Sequence, residues 1–212
     1  MSYSYKETYL GDAMRNLGEM TEYAYYACDV EPDKALRIFI ISGYADRFGK
    51  GDPCVVSGMS GTELYQHAAE ECGLNMTPWP GALVRYKTDV YYWAGYILAY
   101  YQWSANRTFG KILSVIKTDD LMRMYPALHT ASDERAIEEI EELYRERSAY
   151  GRLQEYRKRI NMTQAQLAEA SGVNIRTLQQ YEIGSKSLRK AAAETVFSLA
   201  DVLGCRPEEL IS

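Results

Sequence analysis

In NIRTLQQYEIG, residues 174–184, Arg176, Gln179 and Gln180 stand three and four positions apart. On a helix that spacing gathers them on one face together with Ile183, and it sends Leu178, Tyr181 and Glu182 to the opposite face. An arginine fork can donate two hydrogen bonds to O6 and N7 of guanine, and a glutamine amide can pair with N6 and N7 of adenine. The chemistry on offer is recognition of a base edge by fixed donors and acceptors. Proton transfer and nucleophilic attack have no comparable support. No Ser/His/Asp set, HExxH, GxSxG or pair of carboxylates with a histidine stands in a supporting context. The chain is therefore not expected to be an enzyme.

Those side chains need a rigid helix, and the residues before them supply one. RLQEYRKRI, 152–160, puts Leu153, Tyr156 and Ile160 on one face, and Asn161 closes that helix. Thr163 can cap a second helix starting at Gln164, with Gln166 at the third helical position to complete a capping box. Leu167, Ala168 and Ser171 face inward, and the small Ala168 lets the next helix cross closely. Gly172 tolerates the positive φ of a tight turn, Val173 packs down, and Asn174 can cap the third helix. Gln164 and the free amides at the start of its helix can hold a phosphate.

The residues LxxxR at 153–157, TQxxLAxxxGV at 163–173, TLQQYExG at 177–184 and LADVLGCRPEEL at 199–210 together resemble the Cro/CI-type (Xre) helix-turn-helix domain of bacterial and phage repressors. The resemblance covers residues 152–211. It implies a lambda-repressor-like domain of five short helices near 152–160, 164–170, 174–182, 190–203 and 207–211. It also implies that Ile175, Arg176, Gln179 and Gln180 enter the major groove of double-stranded DNA. Gln164, Asn174, Lys186, Arg189 and Lys190 would then meet the DNA backbone. The family often pairs an arginine of the first helix with a glutamate ending the third, which carries over to Arg157 and Glu182 as a structural pair. Two departures stand out. Ile175 occupies a position where the family usually has a polar reader, so it either meets a thymine methyl or packs. GSKSLRKAAAE lacks the proline common before the fourth helix.

The remaining residues make a different composition. Of the 19 tyrosines, 15 precede residue 132, whereas the segment after 150 is rich in Ala, Leu, Gln, Glu and Arg. The chain carries a net charge of −5, and residues 151–212, with 9 basic and 7 acidic side chains, are its only net basic part. Its total field repels phosphate, so any nucleic-acid contact must come from a local surface. Helical spacing recurs in Met14, Leu17, Met20 and Ala24, and again in Leu36, Phe39 and Ile40 after Pro32. Ser60 and Glu63 fit a capping box for a helix ending at Gly73, and TPWPG, 77–81, is a loop. From Asp89, Val90, Trp93, Ala94, Ile97, Leu98 and Tyr101 line one side of a central buried helix. It is too short and too rich in tyrosine to cross a bilayer, which takes about 20 apolar residues.

SDERAIEEIEELYRER, 132–147, is an amphipathic helix with Ile137, Ile140 and Leu143/Tyr144 on its apolar face and solvated carboxylates on the other. FGKGDP at 48–53 lacks the spacing of a phosphate loop, and SGMSGTE at 57–63 reads as a turn and cap. Cys28, Cys54, Cys72 and Cys205 have no CxxC pairing and read as reduced thiols in or near the core. No metal or cofactor is expected, and no leader segment is legible at the N-terminus. The expectation is an all-α cytoplasmic protein: a helical, tyrosine-rich domain over 1–131, a charged linker helix over 132–151, and the helix-turn-helix domain over 152–212.

One such domain reads one half-site, so useful affinity calls for a homodimer. Residues 1–131 then either dimerise and respond to a small-molecule effector in a transcriptional repressor, or bind a cognate toxin in an antitoxin that regulates its own operon. A third reading, an enzyme fused to its own repressor, lacks the titratable clusters it would need.

Overall fold

The computed structural model describes residues 3–83 and 89–211, with the backbone alone for Ala149 and Tyr150. The fold is all-α, and every regular element among the described residues is helical. The chain divides into two compact units, 1–141 and 142–212.

In the first unit a 3₁₀ turn, Glu7–Tyr9, leads into α1 (Leu10–Tyr26). There follow α2 (Pro32–Ile41), α3 (Tyr44–Gly49), α4 (Pro53–Val56), α5 (Gly61–Glu71), α6 (Val90–Ala105), α7 (Phe109–Leu113) and α8 (Thr118–Leu128). The helix α1 lies against α6 and α5 and buries Ala13, Met14, Leu17, Met20 and Ala24. On α2 the buried positions are Pro32, Ala35, Leu36, Ile38 and Phe39, while Ile40, expected inside, is only half-buried. Asp89 caps α6, its Oδ1 accepting the N–H groups of Tyr91 and Tyr92 at 3.0 and 3.2 Å. The helix buries nearly all round from Trp93 to Trp103, apart from the half-buried Tyr96 and Tyr100. Its first residue Val90 also stays half-exposed.

Backbone meets backbone where α1 crosses α6. A Cβ on Gly18 would lie 2.9 Å from the Tyr92 carbonyl oxygen, and one on Gly95 would collide with the Leu17 carbonyl and the Thr21 hydroxyl. The Thr21 hydroxyl lies 2.8 Å from the Tyr91 carbonyl, tying the two helices together. Only glycine permits this approach, and the reward is dense packing of the flanking Leu17 and Ile97, both fully buried.

The helix α9 (Asp133–Arg159) begins in the first unit and ends in the second. Residues 132–151 and 152–160 are thus not separate elements. Ala136, Ile140 and Tyr144 form the buried stripe of α9, and Ile137 and Leu143 flank it half-buried. Its carboxylates are not all solvated, contrary to the reading of the acidic run. Glu141 accepts from the Arg107 guanidinium at 2.5 and 3.1 Å and from the Tyr101 hydroxyl at 2.7 Å, and Asp133 accepts from Tyr96 at 2.9 Å. The tyrosines of α6 supply hydroxyl donors that helical periodicity does not reveal. Of the four cysteines, all free, Cys54 is exposed and the others are half-buried, so none sits in the core.

The second unit continues with α10 (Gln164–Ser171), α11 (Ile175–Glu182), a 3₁₀ turn Leu188–Lys190, α12 (Ala193–Leu203) and α13 (Pro207–Ile211). Its core joins Leu153 of α9 to Leu167, Leu178, Leu199, Leu203 and Leu210. The fourth helix of the domain starts at Ala193, not at 190: the chain spends 188–190 in the 3₁₀ turn that buries Leu188. No helix among the described residues is long and apolar enough to cross a membrane.

Candidate nucleic-acid interface

The hairpin of α10 and α11 is held at every joint by local hydrogen bonds. The Thr163 hydroxyl accepts the Gln166 N–H at 3.2 Å, and the Gln166 side-chain oxygen accepts the Thr163 N–H at 2.8 Å. Gly172 turns the chain at φ +69°. Asn174 Oδ1 accepts the Arg176 N–H at 2.9 Å, so the Asn174 carbonyl of the side chain is spent on the cap of α11. Each such cap is worth about 1 kcal/mol.

On α11, Leu178, Tyr181 and Glu182 are buried, while Arg176, Gln179 and Ile183 are exposed and Gln180 is half-exposed. Ile175, 40% exposed, stands at the edge of that outward face and does not pack into the core. The side chains of Ile175, Arg176, Gln179 and Gln180 therefore share one accessible surface. Ile183 belongs to it too. At 75% exposure it is the most exposed large apolar side chain among the described residues of the second unit. Its helical phase alone points there.

Beneath that surface Arg157 and Glu182 form a buried two-pronged ion pair, Nε to Oε1 at 2.6 Å and Nη2 to Oε2 at 2.9 Å. Arg157 Nη1 also donates to the Met162 carbonyl at 2.8 Å, fastening the end of α9 to the chain entering α10. Burial pushes the Glu182 carboxyl up, but hydrogen bonds from Arg157 and Gln164 outweigh it and hold the pKa below the ordinary carboxylate range. Gln164 is half-buried and turned inward: its Nε2 donates to Glu182 Oε2 at 2.7 Å, and its Oε1 lies 3.5 Å from Gln179 Nε2. One of its two N–H bonds is thus engaged within the protein.

The basic residues beyond α11 divide. The Lys186 N–H donates to the Gln180 carbonyl at 3.2 Å, which fixes Lys186 to the end of α11 with its side chain exposed. Arg189 is exposed on the 3₁₀ turn. Lys190, on the same turn, is 3.2 Å from Glu146 of α9, so its ammonium already has a carboxylate partner. Among the described residues no cluster of histidine, cysteine and carboxylate side chains could hold a metal.

The helix-turn-helix family model matches residues 153–210. No curated protein and no solved structure matches the chain. The capped α10–α11 hairpin and the family match agree, and residues 153–210 are a Cro/CI-type helix-turn-helix domain, a DNA-binding regulatory module, within an all-α chain whose N-terminal region matches no family.

Proposed function

We propose that this protein is a cytoplasmic, sequence-specific regulator of transcription that binds double-stranded DNA and acts as a repressor. Two copies would read two half-sites in adjacent major grooves, with Ile175, Arg176, Gln179 and Gln180 at the base edges. The outward face of α11 carries this reading. It offers an arginine fork and two amides on a short helix whose buried side is locked by the Arg157–Glu182 pair. Gln164, Asn174, Lys186 and Arg189 serve the DNA backbone, and Lys190 joins them only by leaving Glu146.

The second unit has 11 basic and 9 acidic side chains, a small net positive charge that gives little non-specific hold on phosphate. Affinity then has to come from a second copy, and the tyrosine-rich first unit is where dimerisation and response to an effector would reside. Selection of random duplex DNA by the full-length protein, with its mass in solution measured on the same sample, tests this. A palindrome with half-sites about one helical turn apart, bound by a dimer, supports the regulator. Enrichment of no sequence refutes it, and a protein captured by residues 1–141 in place of an effector points to an antitoxin.

A further inference from the structure

Three of the large apolar side chains that the first unit leaves exposed gather on one surface. On α2 the positions turned outward are Lys34, Arg37 and Ile41, and on α5 they include His67, Glu70 and Glu71. Two contacts lay these helices side by side and antiparallel. The Cys72 thiol, just past α5, reaches the Ile38 carbonyl at 3.7 Å, and the Tyr44 ring, just past α2, stacks on the His67 imidazole with centroids 6.4 Å apart. Ile41, 77% exposed, stands between those two contacts. The chain leaving α5 adds Leu74 and Met76, 45% and 43% exposed, and the Leu74 N–H bonded to the Ala69 carbonyl at 2.9 Å keeps it against the helix end. One exposed apolar side chain is ordinary, whereas a row of them rimmed by charge marks a contact surface.

The rim is complementary to itself. Arg37 is matched by Asp33 on its own helix at 3.2 Å, and Glu70 accepts from Trp79 Nε1 at 2.9 Å. The charges left over are a cation on the α2 flank, Lys34, and a carboxylate on the α5 flank, Glu71; neither stands in an ion pair among the described residues. With Cys72 beside Ile38, the two lie about one turn apart along the seam between the helices. A two-fold axis laid along that seam exchanges the flanks, setting Ile41 of one copy over the α5 side of the other and bringing Lys34 to Glu71 twice. We infer that this surface of α2, α5 and the chain at 74–76 is the dimer interface, and that what covers it is a second copy of the same chain. A different protein would have to carry the same split of charge, which a second copy carries by symmetry. The inference rests on the proposed homodimer and adds where the two copies meet.

Sedimentation of the full-length protein without DNA tests it, for the wild type, Ile41→Asp, Lys34→Glu and Glu71→Lys. All three side chains are exposed, so each variant should stay folded, which melting checks. The wild type is expected to be a dimer. Each substitution enters a two-fold interface twice and should raise the dimer Kd at least about tenfold. An equal mixture of Lys34→Glu and Glu71→Lys should dimerise again, because both contacts then join unlike charges; a pair within one chain could not be mended by mixing. A monomeric wild type would overturn the inference and leave the surface to another protein. So would a dimer that Ile41→Asp leaves intact, or a mixture no tighter than either variant alone. The DNA reading fails separately, since mass is measured without DNA: a dimer split by these variants, whose wild type enriches no duplex, keeps the interface and sinks the regulator.

Discussion

At the scale of single residues, α11 separates side chains that face outward from side chains that hold the helix in place. Arg176 and Gln180 project from the helix without contributing to the core, so Arg176→Ala and Gln180→Ala should each cost about 1–3 kcal/mol of discrimination between cognate and altered duplexes, with the melting temperature unchanged. Competition binding against single-base variants of a selected site measures this; equal losses on every duplex would assign the two residues to the phosphates. Glu182 behaves in the opposite way. Removing one partner of a buried pair strands the other charge, and Glu182→Ala should destabilise the second unit by about 3–5 kcal/mol, with DNA binding lost only as a consequence.

The pH dependence of that pair has a definite sign. The folded-state pKa of Glu182 is depressed, so the stabilisation it brings is complete above the unfolded glutamate value of about 4.3 and is lost as pH falls through the lower folded value. The acid arm of the stability curve should flatten in Glu182→Gln, which has no proton to gain there. Denaturant melts between neutral pH and pH 3 would show it. An identical arm in both proteins would mean that the pair does not govern acid stability.

At the scale of elements, two glycines are needed for different physical reasons. Gly172 has open space around its α-carbon and a φ of +69°, so Gly172→Ala meets no atom and costs only the left-handed conformation, about 1–2 kcal/mol. Gly95 has an ordinary helical backbone, but a methyl there collides with the Leu17 carbonyl of α1. Helix backbones cannot yield as a side chain can, and Gly95→Ala should cost the first unit at least about 1–3 kcal/mol as α1 and α6 are forced apart. Chemical denaturation of the two variants compares them. A neutral Gly95→Ala would show that α1 shifts without loss.

At the scale of the whole molecule, an acidic chain must bind an acidic polymer through a few local charges. Binding should weaken steeply with salt, and Lys186→Ala and Arg189→Ala should each lower the slope of log affinity against log salt by about one. Lys190→Ala should lower it less, because its ammonium is compensated by Glu146 before DNA arrives. A titration of affinity between low and physiological salt separates the three. A full unit of slope from Lys190 would mean that the Glu146 contact opens on binding.

The sequence by itself determined the all-α class and the hairpin of the second unit. Thr163, Gln166, Gly172 and Asn174 act on neighbours two or three positions away, and such local rules can be read from a linear string. The phase of α11 was legible for the same reason, down to the exposure of Ile183. What only the tertiary structure decided lies between residues far apart in the chain. It turned Gln164 inward to Glu182, gave Lys190 the Glu146 carboxylate, and used the tyrosines of α6 and Arg107 to bind carboxylates of α9 that periodicity assigned to water. It also moved the start of the fourth helix to Ala193, because Leu188 reaches the core from a 3₁₀ turn. Periodicity reports which face a side chain occupies; which donor meets it there depends on how helices cross, and helix crossings are set by packing over the whole unit.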